Sequence, residues 1–312
     1  MLVRMRSVIV ALVLGALALA PAAEARRAGV AVGIGDQNAA MFSDPHFSRL
    51  KVRKARYFVR WDVMRRPSER AKLDNWLFAA ALTRVRPLVH VSTNDLRPKR
   101  APLPTTARYR REVGRLVRHI RARGVRDVGV WNEANHKTQP TWRSPRRAAA
   151  YYRVMRRLCR GCTIVGLDVL DQAGAARYIR RFFRALPRTL RHRRIVVGIH
   201  NYSDTNRLRA RGTRSIIRAV RRQNRRARFW LTETGGVVNF GRSFPCNTHR
   251  AASRTAYMFG LARRYDRYVE RLYAYNFYGA GCRGFDAGLV EADGTPRPAY
   301  RVFRVKLGSF TR

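Results

Sequence analysis

The 312 residues carry 66 lysines and arginines against 19 aspartates and glutamates, a formal charge of +47, with 46% hydrophobic residues. That length suits one large α/β domain of about 250 residues or two small ones, and no Pro/Gly/Ser-rich linker, low-complexity tract or repeat divides it. Zinc-finger spacing, an RNA-binding aromatic signature and a Walker loop are all missing from the sequence, so nucleic acid has only generic electrostatics to hold on to.

At the N-terminus Arg4 and Arg6 precede an apolar run from Val8 to Ala20, and Ala23-Glu24-Ala25 supplies the small-x-small pattern of a signal-peptidase site. This predicts an exported protein cut after Ala25, with a retained N-terminal anchor as the other reading. No later segment approaches the ~20 consecutive apolar residues of a membrane span. Residues 26–312 then read as one unit.

Short β-rich runs alternate with longer amphipathic stretches along that unit. The spacing predicts strands over 29–34, 55–60, 86–91, 125–131, 163–167, 195–200, 229–232 and 271–276. Helices are expected near 45–50, 68–82, 106–123, 144–159, 173–186, 213–225, 249–265 and 299–307. Eight strand–helix units in a chain of this length point to the α/β class and to a single (β/α)8 TIM barrel rather than an open doubly wound sheet. An open sheet would need a phosphate loop after its first strand, and Gly33-Ile-Gly35-Asp36 is too short a match.

The positive charge is almost all arginine and recurs through helix-like stretches such as 146–160, 177–194 and 207–228, interleaved with apolar residues at helical spacing. That pattern describes amphipathic helices with solvated basic faces. It reads either as a compositional bias or as an affinity for polyanions such as an acidic cell-wall or extracellular polymer. Four cysteines fit two disulfides in an oxidising compartment. The favoured pairing is Cys159 with Cys162 and Cys246 with Cys282, the second tying together two loops at one end of the barrel. A zinc site or a thioredoxin-like motif at Cys159-Arg-Gly-Cys162 is the weaker reading, because this C-x-x-C closes a helix.

In a (β/α)8 barrel, chemistry sits where strands end and βα loops begin. Asp36, Arg60 with Asp62, His90 with Asn94, Asn132 with Glu133, Asp168, His200 with Tyr202, and Glu233 collect at those positions. Beyond the signal segment, glutamate occurs at 69, 112, 133, 233, 270 and 291. Glu69, Glu112 and Glu270 lie in or beside Arg-rich helical stretches, where exposed ion pairs are the default, and Glu291 lies in a turn-like run. Only Glu133, in Val128-Gly-Val-Trp131-Asn132-Glu133-Ala134-Asn135, and Glu233, in Phe229-Trp-Leu-Thr232-Glu233-Thr-Gly235-Gly236, end β-rich runs. Glycoside hydrolysis requires two carboxyl groups flanking the scissile bond, and the ends of the fourth and seventh strands hold two.

With these motifs the chain resembles the glycoside hydrolase clan A superfamily, whose members carry an Asn-Glu acid/base at the end of strand four and a nucleophilic glutamate at the end of strand seven. The segment Gly288-Leu289-Val290 through Pro298-Ala299-Tyr300 looks like the closing segment of families 5 and 39. The resemblance implies a secreted retaining enzyme acting on poly- or oligosaccharides by double displacement, with Glu233 as nucleophile, Glu133 as acid/base, and neither metal nor cofactor. It implies that Arg60 holds Glu233 ionised, that Asn132 bonds a sugar 2-hydroxyl, and that Tyr202 of His200-Asn-Tyr202 orients the nucleophile. The clan's strand-eight tryptophan is replaced by Tyr273-Ala-Tyr275-Asn276-Phe277-Tyr278, so Tyr275 or Phe277 would offer the sugar-stacking face.

Each residue also has a plainer reading. Glu133 and Glu233 can be structural partners of Arg60 or Arg86. His90 and His200 divide between core hydrogen bonding and site lining. Trp61, Trp142 and Tyr202 are candidates for sugar contact, Trp131 and Trp230 for packing, and Asp168 and Asp171 for loop or cap positions. The competing function is a catalytically inactive barrel that binds anionic polymers through its basic surface.

Overall fold

The strand sequences alternate by burial demand. In Ala28–Gly35, Val30, Val32 and Ile34 are fully buried on the face toward the helices, while Gly33 and Gly35 on the other face leave room inside the sheet. A Cβ at Gly33 would run into the Tyr273 ring, so only glycine lets that ring fill the interior. In the computed structural model, which describes residues 28–93 and 101–311, eight such runs are the barrel strands: β1 Ala28–Gly35, β2 Lys54–Arg60, β3 Arg86–Ser92, β4 Asp127–Gly129, β5 Thr163–Leu170, β6 Val196–His200, β7 Arg228–Thr234 and β8 Val269–Tyr275. Each pairs in parallel with the next, and β8 pairs with β1 from Ala31↔Arg271 to Gly35↔Tyr275, closing the sheet. The fold is a single (β/α)8 barrel. The expected export signal and Asn94 lie outside the described residues.

The helices that follow the strands are α1 Pro45–Leu50, α2 Pro67–Leu82, α3 Thr106–Ala122, α4 Pro145–Leu158, α5 Ala175–Arg184, α6 Arg211–Gln223, α7 Thr248–Arg264 and α8 Pro298–Leu307. Their starts carry local signals. Proline opens α1, α2, α4 and α8, where its missing N–H is no loss. Thr105 and Asn247 cap α3 and α7 by accepting from the N–H groups of Arg108 and Arg250. The core lies between sheet and helices, as with Ile179, Phe182 and Phe183 of α5 and Ile216, Ile217 and Val220 of α6, placed at helical spacing and buried. Among the described residues no helix is long and apolar enough to cross a membrane.

The main departure from the sequence reading is β4, which stops at Gly129 rather than running through Trp131. The chain nevertheless stays pinned to both neighbours, Val130 N–H donating to Val165 C=O at 3.0 Å and Asn132 N–H to Val91 C=O at 2.7 Å. Cys159–Cys162 and Cys246–Cys282 are both disulfides. The second staples the loop after β7 to the loop after β8, beside a two-stranded ribbon in which Asn239–Phe240 pairs with Phe285–Asp286.

Candidate active site

Glu133 sits in the turn that continues β4 and adopts φ 45°, a left-handed conformation that a side-chain-bearing residue holds only when its surroundings impose it. The imposing bonds are at hand. Besides the Asn132 bond to β3, Ala134 N–H donates to Asp168 C=O at 2.9 Å. Asn135 exchanges two bonds with the Leu170 backbone at the end of β5, its Nδ2 donating at 3.0 Å and its Oδ1 accepting at 2.8 Å. The second asparagine of the W-N-E-x-N run is therefore the clasp that fixes the turn.

Glu233 lies within β7, and its two oxygens accept from two different donors. Arg56 Nη1 donates to Oε2 at 2.7 Å and the Tyr202 hydroxyl to Oε1 at 3.0 Å. Burial and the neighbouring carboxylate keep the Tyr202 phenol well above its ordinary pKa, so it remains a donor. Arg56 also donates through Nη2 to Asn132 Oδ1 at 2.5 Å. Because guanidinium only donates, this bond fixes the amide with its oxygen toward Arg56 and its NH2 free for the cleft.

Arg60, expected beside Glu233, is not there. It forms a fork onto Asp62, Nε to Oδ1 at 2.6 Å and Nη2 to Oδ2 at 3.3 Å, at the rim. Arg56 and Arg60 project from the same side of β2, four residues apart. The strand end selects the rim position, whereas the long guanidinium of the deeper residue reaches up to the carboxylate. Arg56 is also fully buried, and in the sequence only its place four residues before Arg60, on the same face of β2, marked it as the alternative.

Behind the carboxylates lies a buried charge relay. His200 Nδ1 is 3.0 Å from Glu133 Oε1 and 3.6 Å from Glu233 Oε2, and its Nε2 is 3.0 Å from Asp168 Oδ2. Both carboxylates thus approach one imidazole nitrogen, which holds the two oxygens within about two hydrogen-bond lengths of each other. Burial works against a charged imidazole, but Asp168 and Glu233 outweigh it and push the His200 pKa up to about 10. Asp168 accepts from Thr232 Oγ1 at 2.6 Å and is held well below the usual carboxylate range, its burial outweighed by His200 and His90. A Cβ at Gly198 would collide with the Asp168 and Thr232 side chains, so glycine there makes room for the pair. His90 also faces Asp168, at 3.5 Å, but burial pushes its pKa down to about 3 and it stays neutral. For Glu133, burial is overcome by the His200 hydrogen bond and charge, with His136 adding at 3.6 Å, and the carboxyl is held below its ordinary value.

The two carboxylates, 17% and 12% exposed, open onto a cleft of about 1140 Å³. Asn132, Tyr202, Tyr275, Arg60 and His136 line it, with Phe240, Phe244 and Phe285 contributed by the disulfide-stapled loops. Phe285 packs edge-on to Tyr202 at 5.1 Å and stacks with Tyr275 at 6.3 Å, so an aromatic wall stands on the Glu233 side.

Several candidates lie elsewhere. Phe277 is buried against Phe47 and Tyr278, leaving Tyr275 as the strand-eight ring in the cleft. Trp61 is buried beneath Arg108, and His90 lies below the cleft floor. Trp142 lines a neighbouring groove. Trp131 bonds Gln139 and stacks on Tyr151, while Trp230 lies under Arg271 inside the barrel. Asp171 accepts from the Ser203 and Asp204 N–H groups, capping the short helix Tyr202–Asn206 that presents Tyr202. Asp36 accepts from the Phe277 and Tyr278 N–H groups and ties β1 to the β8 loop. Glu112, expected on an exposed face, is buried among Arg65, Arg111 and Arg115.

No protein-family model matches the sequence, and no curated protein does. Solved structures do match in fold. The xylanase XynB from Paenibacillus barcinonensis aligns at 12% identity and a TM-score of 0.63, over 88% of this chain and 95% of that one. A GH10 xylanase with a bacterial Ig-like domain, from termite gut, aligns at 14% and 0.59, over 89% and 75%. Beta-glucosidase 1317 aligns at 15% and 0.59, over 86% and 87%. At such identities the likeness is one of fold alone, a (β/α)8 barrel.

Proposed function

We propose that the protein is a retaining glycoside hydrolase of the clan A type, acting on β-linked poly- or oligosaccharides outside the reducing cytoplasm. The observation that carries this reading is the convergence of Glu133 and Glu233 on His200 Nδ1 at the mouth of the cleft. Oxygens 3.0 and 3.6 Å from one nitrogen lie at most about 6.6 Å apart, which accommodates the ~5 to 5.5 Å separation of a retaining pair and only touches the low end of the ~6.5 to 9.5 Å of an inverting one. The xylanases and beta-glucosidase of like fold support β-linked glycans as the substrate class, and the two disulfides support an oxidising compartment. The narrower likeness to families 5 and 39 is not needed.

The environments divide the labour. Glu233, held by one cation and one phenol that only donate to it, is the nucleophile and attacks the anomeric carbon as the glycosidic bond breaks. Glu133 shares its oxygens with two imidazoles, His200 and His136, groups that can exchange protons. A glycan covering the cleft excludes water from Glu133 and favours its neutral form, so that in the complex it carries the proton it gives to the leaving oxygen; it then takes one from the water that cleaves the glycosyl ester. Asn132 presents its NH2 to the sugar, and Tyr275 with Phe285 offers the stacking wall.

The test is hydrolysis of a panel of activated aryl β-glycosides and β-glycans, xylan first, by the wild type and by Glu133→Gln and Glu233→Gln. Each substitution is expected to lower turnover by at least about two orders of magnitude. Azide should yield a β-glycosyl azide with Glu133→Ala alone, and proton NMR should show retention in the first-formed product. Full activity in either glutamine variant overturns the reading, as does an inverted first product.

A further inference from the structure

Next to the cleft, past Glu133, lies a second groove of about 700 Å³ that shares His136, Gln172 and Ala173 with it. Its cationic lining is Lys137, Arg143, Arg177 and Arg181, and it contains no Asp or Glu. Lys137, Arg143, Arg177 and Arg181 are all exposed, and none has a carboxylate partner among the described residues. Trp142 is half-buried in the same groove with the Arg143 guanidinium 4.2 Å from its ring centroid, so aromatic surface and positive charge stand at one spot. The groove also meets Pro145, the first residue of α4, and Gly174, the residue before α5, and neither helix has a side-chain cap on its N–H groups, which adds to the positive potential there.

Arginine alone does not mark a site on a chain this basic. The helix faces around Arg180, Arg211, Arg214, Arg218 and Arg222 form another cationic depression, but it shares no residue with the cleft and is lined by no aromatic side chain. What sets the Lys137–Arg181 groove apart is its continuity with the cleft on the side of Glu133, where the leaving-group portion of a substrate emerges.

Resting on the glycosidase reading above, we infer that this groove is the leaving-group-side binding site for an acidic glycan, one whose sugar residues carry carboxylate groups. Neutral rings next to the carboxylate pair pass over His136, and their acidic neighbours meet Lys137, Arg143, Arg177 and Arg181. Full-length Glu233→Gln protein would be titrated with uronate-bearing oligosaccharides, with neutral oligosaccharides of the same length, and with sulfated ones. The background would be native, Lys137→Gln/Arg143→Gln/Arg177→Gln/Arg181→Gln, or the charge-matched control Arg211→Gln/Arg214→Gln/Arg218→Gln/Arg222→Gln. The groove variant should lose about tenfold or more in affinity for uronate-bearing chains, and the control should lose little. In the Glu233-containing enzyme, the groove variant should keep its rate on a small aryl glycoside while losing rate on the acidic polymer. Equal losses in the two variants, equal binding of neutral and acidic chains, preference for sulfated chains, or equal competition by duplex DNA each overturn the inference. Failure of the glycosidase reading would appear separately, as undiminished turnover in the glutamine variants with binding intact.

Discussion

The mouth of the barrel and its outer shell treat charge in opposite ways. At the mouth, Arg56, His200, Asp168, Glu133 and Glu233 form one connected set in which every charge faces an opposite one. On the shell, α4, α5 and α6 contain no acidic residue, and their arginines stand without carboxylate partners among the described residues. The difference follows from solvation. A charge removed from water is strongly destabilising unless paired, whereas an exposed guanidinium is satisfied by solvent, paired or not. Composition can drift toward arginine on the shell at little cost, and at the mouth it cannot.

The contrast is most sharply broken or upheld at β2. Arg56→Met leaves Glu233 and Asn132 without their shared donor, and chemical denaturation should show a loss of about 3–5 kcal/mol. Arg60→Met, at the rim, should lose no more than about 1 kcal/mol. Equal losses would mean that the mouth is no more constrained than its edge. Arg56→Lys should be no more active than Arg56→Met, because one ammonium nitrogen cannot span the two acceptors that the separate Nη1 and Nη2 of the guanidinium reach.

Next in size is the staple behind the aromatic wall. Replacing Cys246 and Cys282 together by serine removes a cross-link across 36 residues, and about 2–4 kcal/mol should be lost in thermal or urea unfolding. Because Phe240 and Phe285 ride on the tied loops, substrate KM should rise more than kcat falls.

The pH dependence of stability isolates the buried relay. The folded His200 pKa, about 10, lies above its ordinary 6.5. Its contribution is therefore complete below pH 6.5 and is lost as pH rises through about 10. The wild type should lose melting temperature over that window more steeply than His200→Asn. Asp171, raised to about 7 by burial, loses its contribution as pH rises through 7, but it does so in both proteins and cancels from the comparison. Identical slopes would show that His200 is not charged in the folded state.

The smallest effect belongs to the shell. Arg214→Gln with Arg222→Gln should change unfolding free energy by less than about 0.5 kcal/mol. A larger loss would show that the shell arginines are structural.

The sequence by itself determined the number and order of strands, the barrel, the cysteine pairing and the two glutamates at the mouth. Those rest on local periodicity, on the spacing of the cysteines and on the scarcity of glutamate, all of which a linear reading can weigh. Tertiary structure alone decided which arginine serves Glu233, because Arg56 and Arg60 share a side of β2 and differ only in depth. It likewise decided that Asp168 lies beneath His200 rather than in a loop, that Glu112 is buried, that Phe277 faces away from the cleft and that Trp142 belongs to the adjoining groove. In each case the outcome depends on which residues from distant strands meet in the barrel interior, and such meetings leave no spacing in the chain to read.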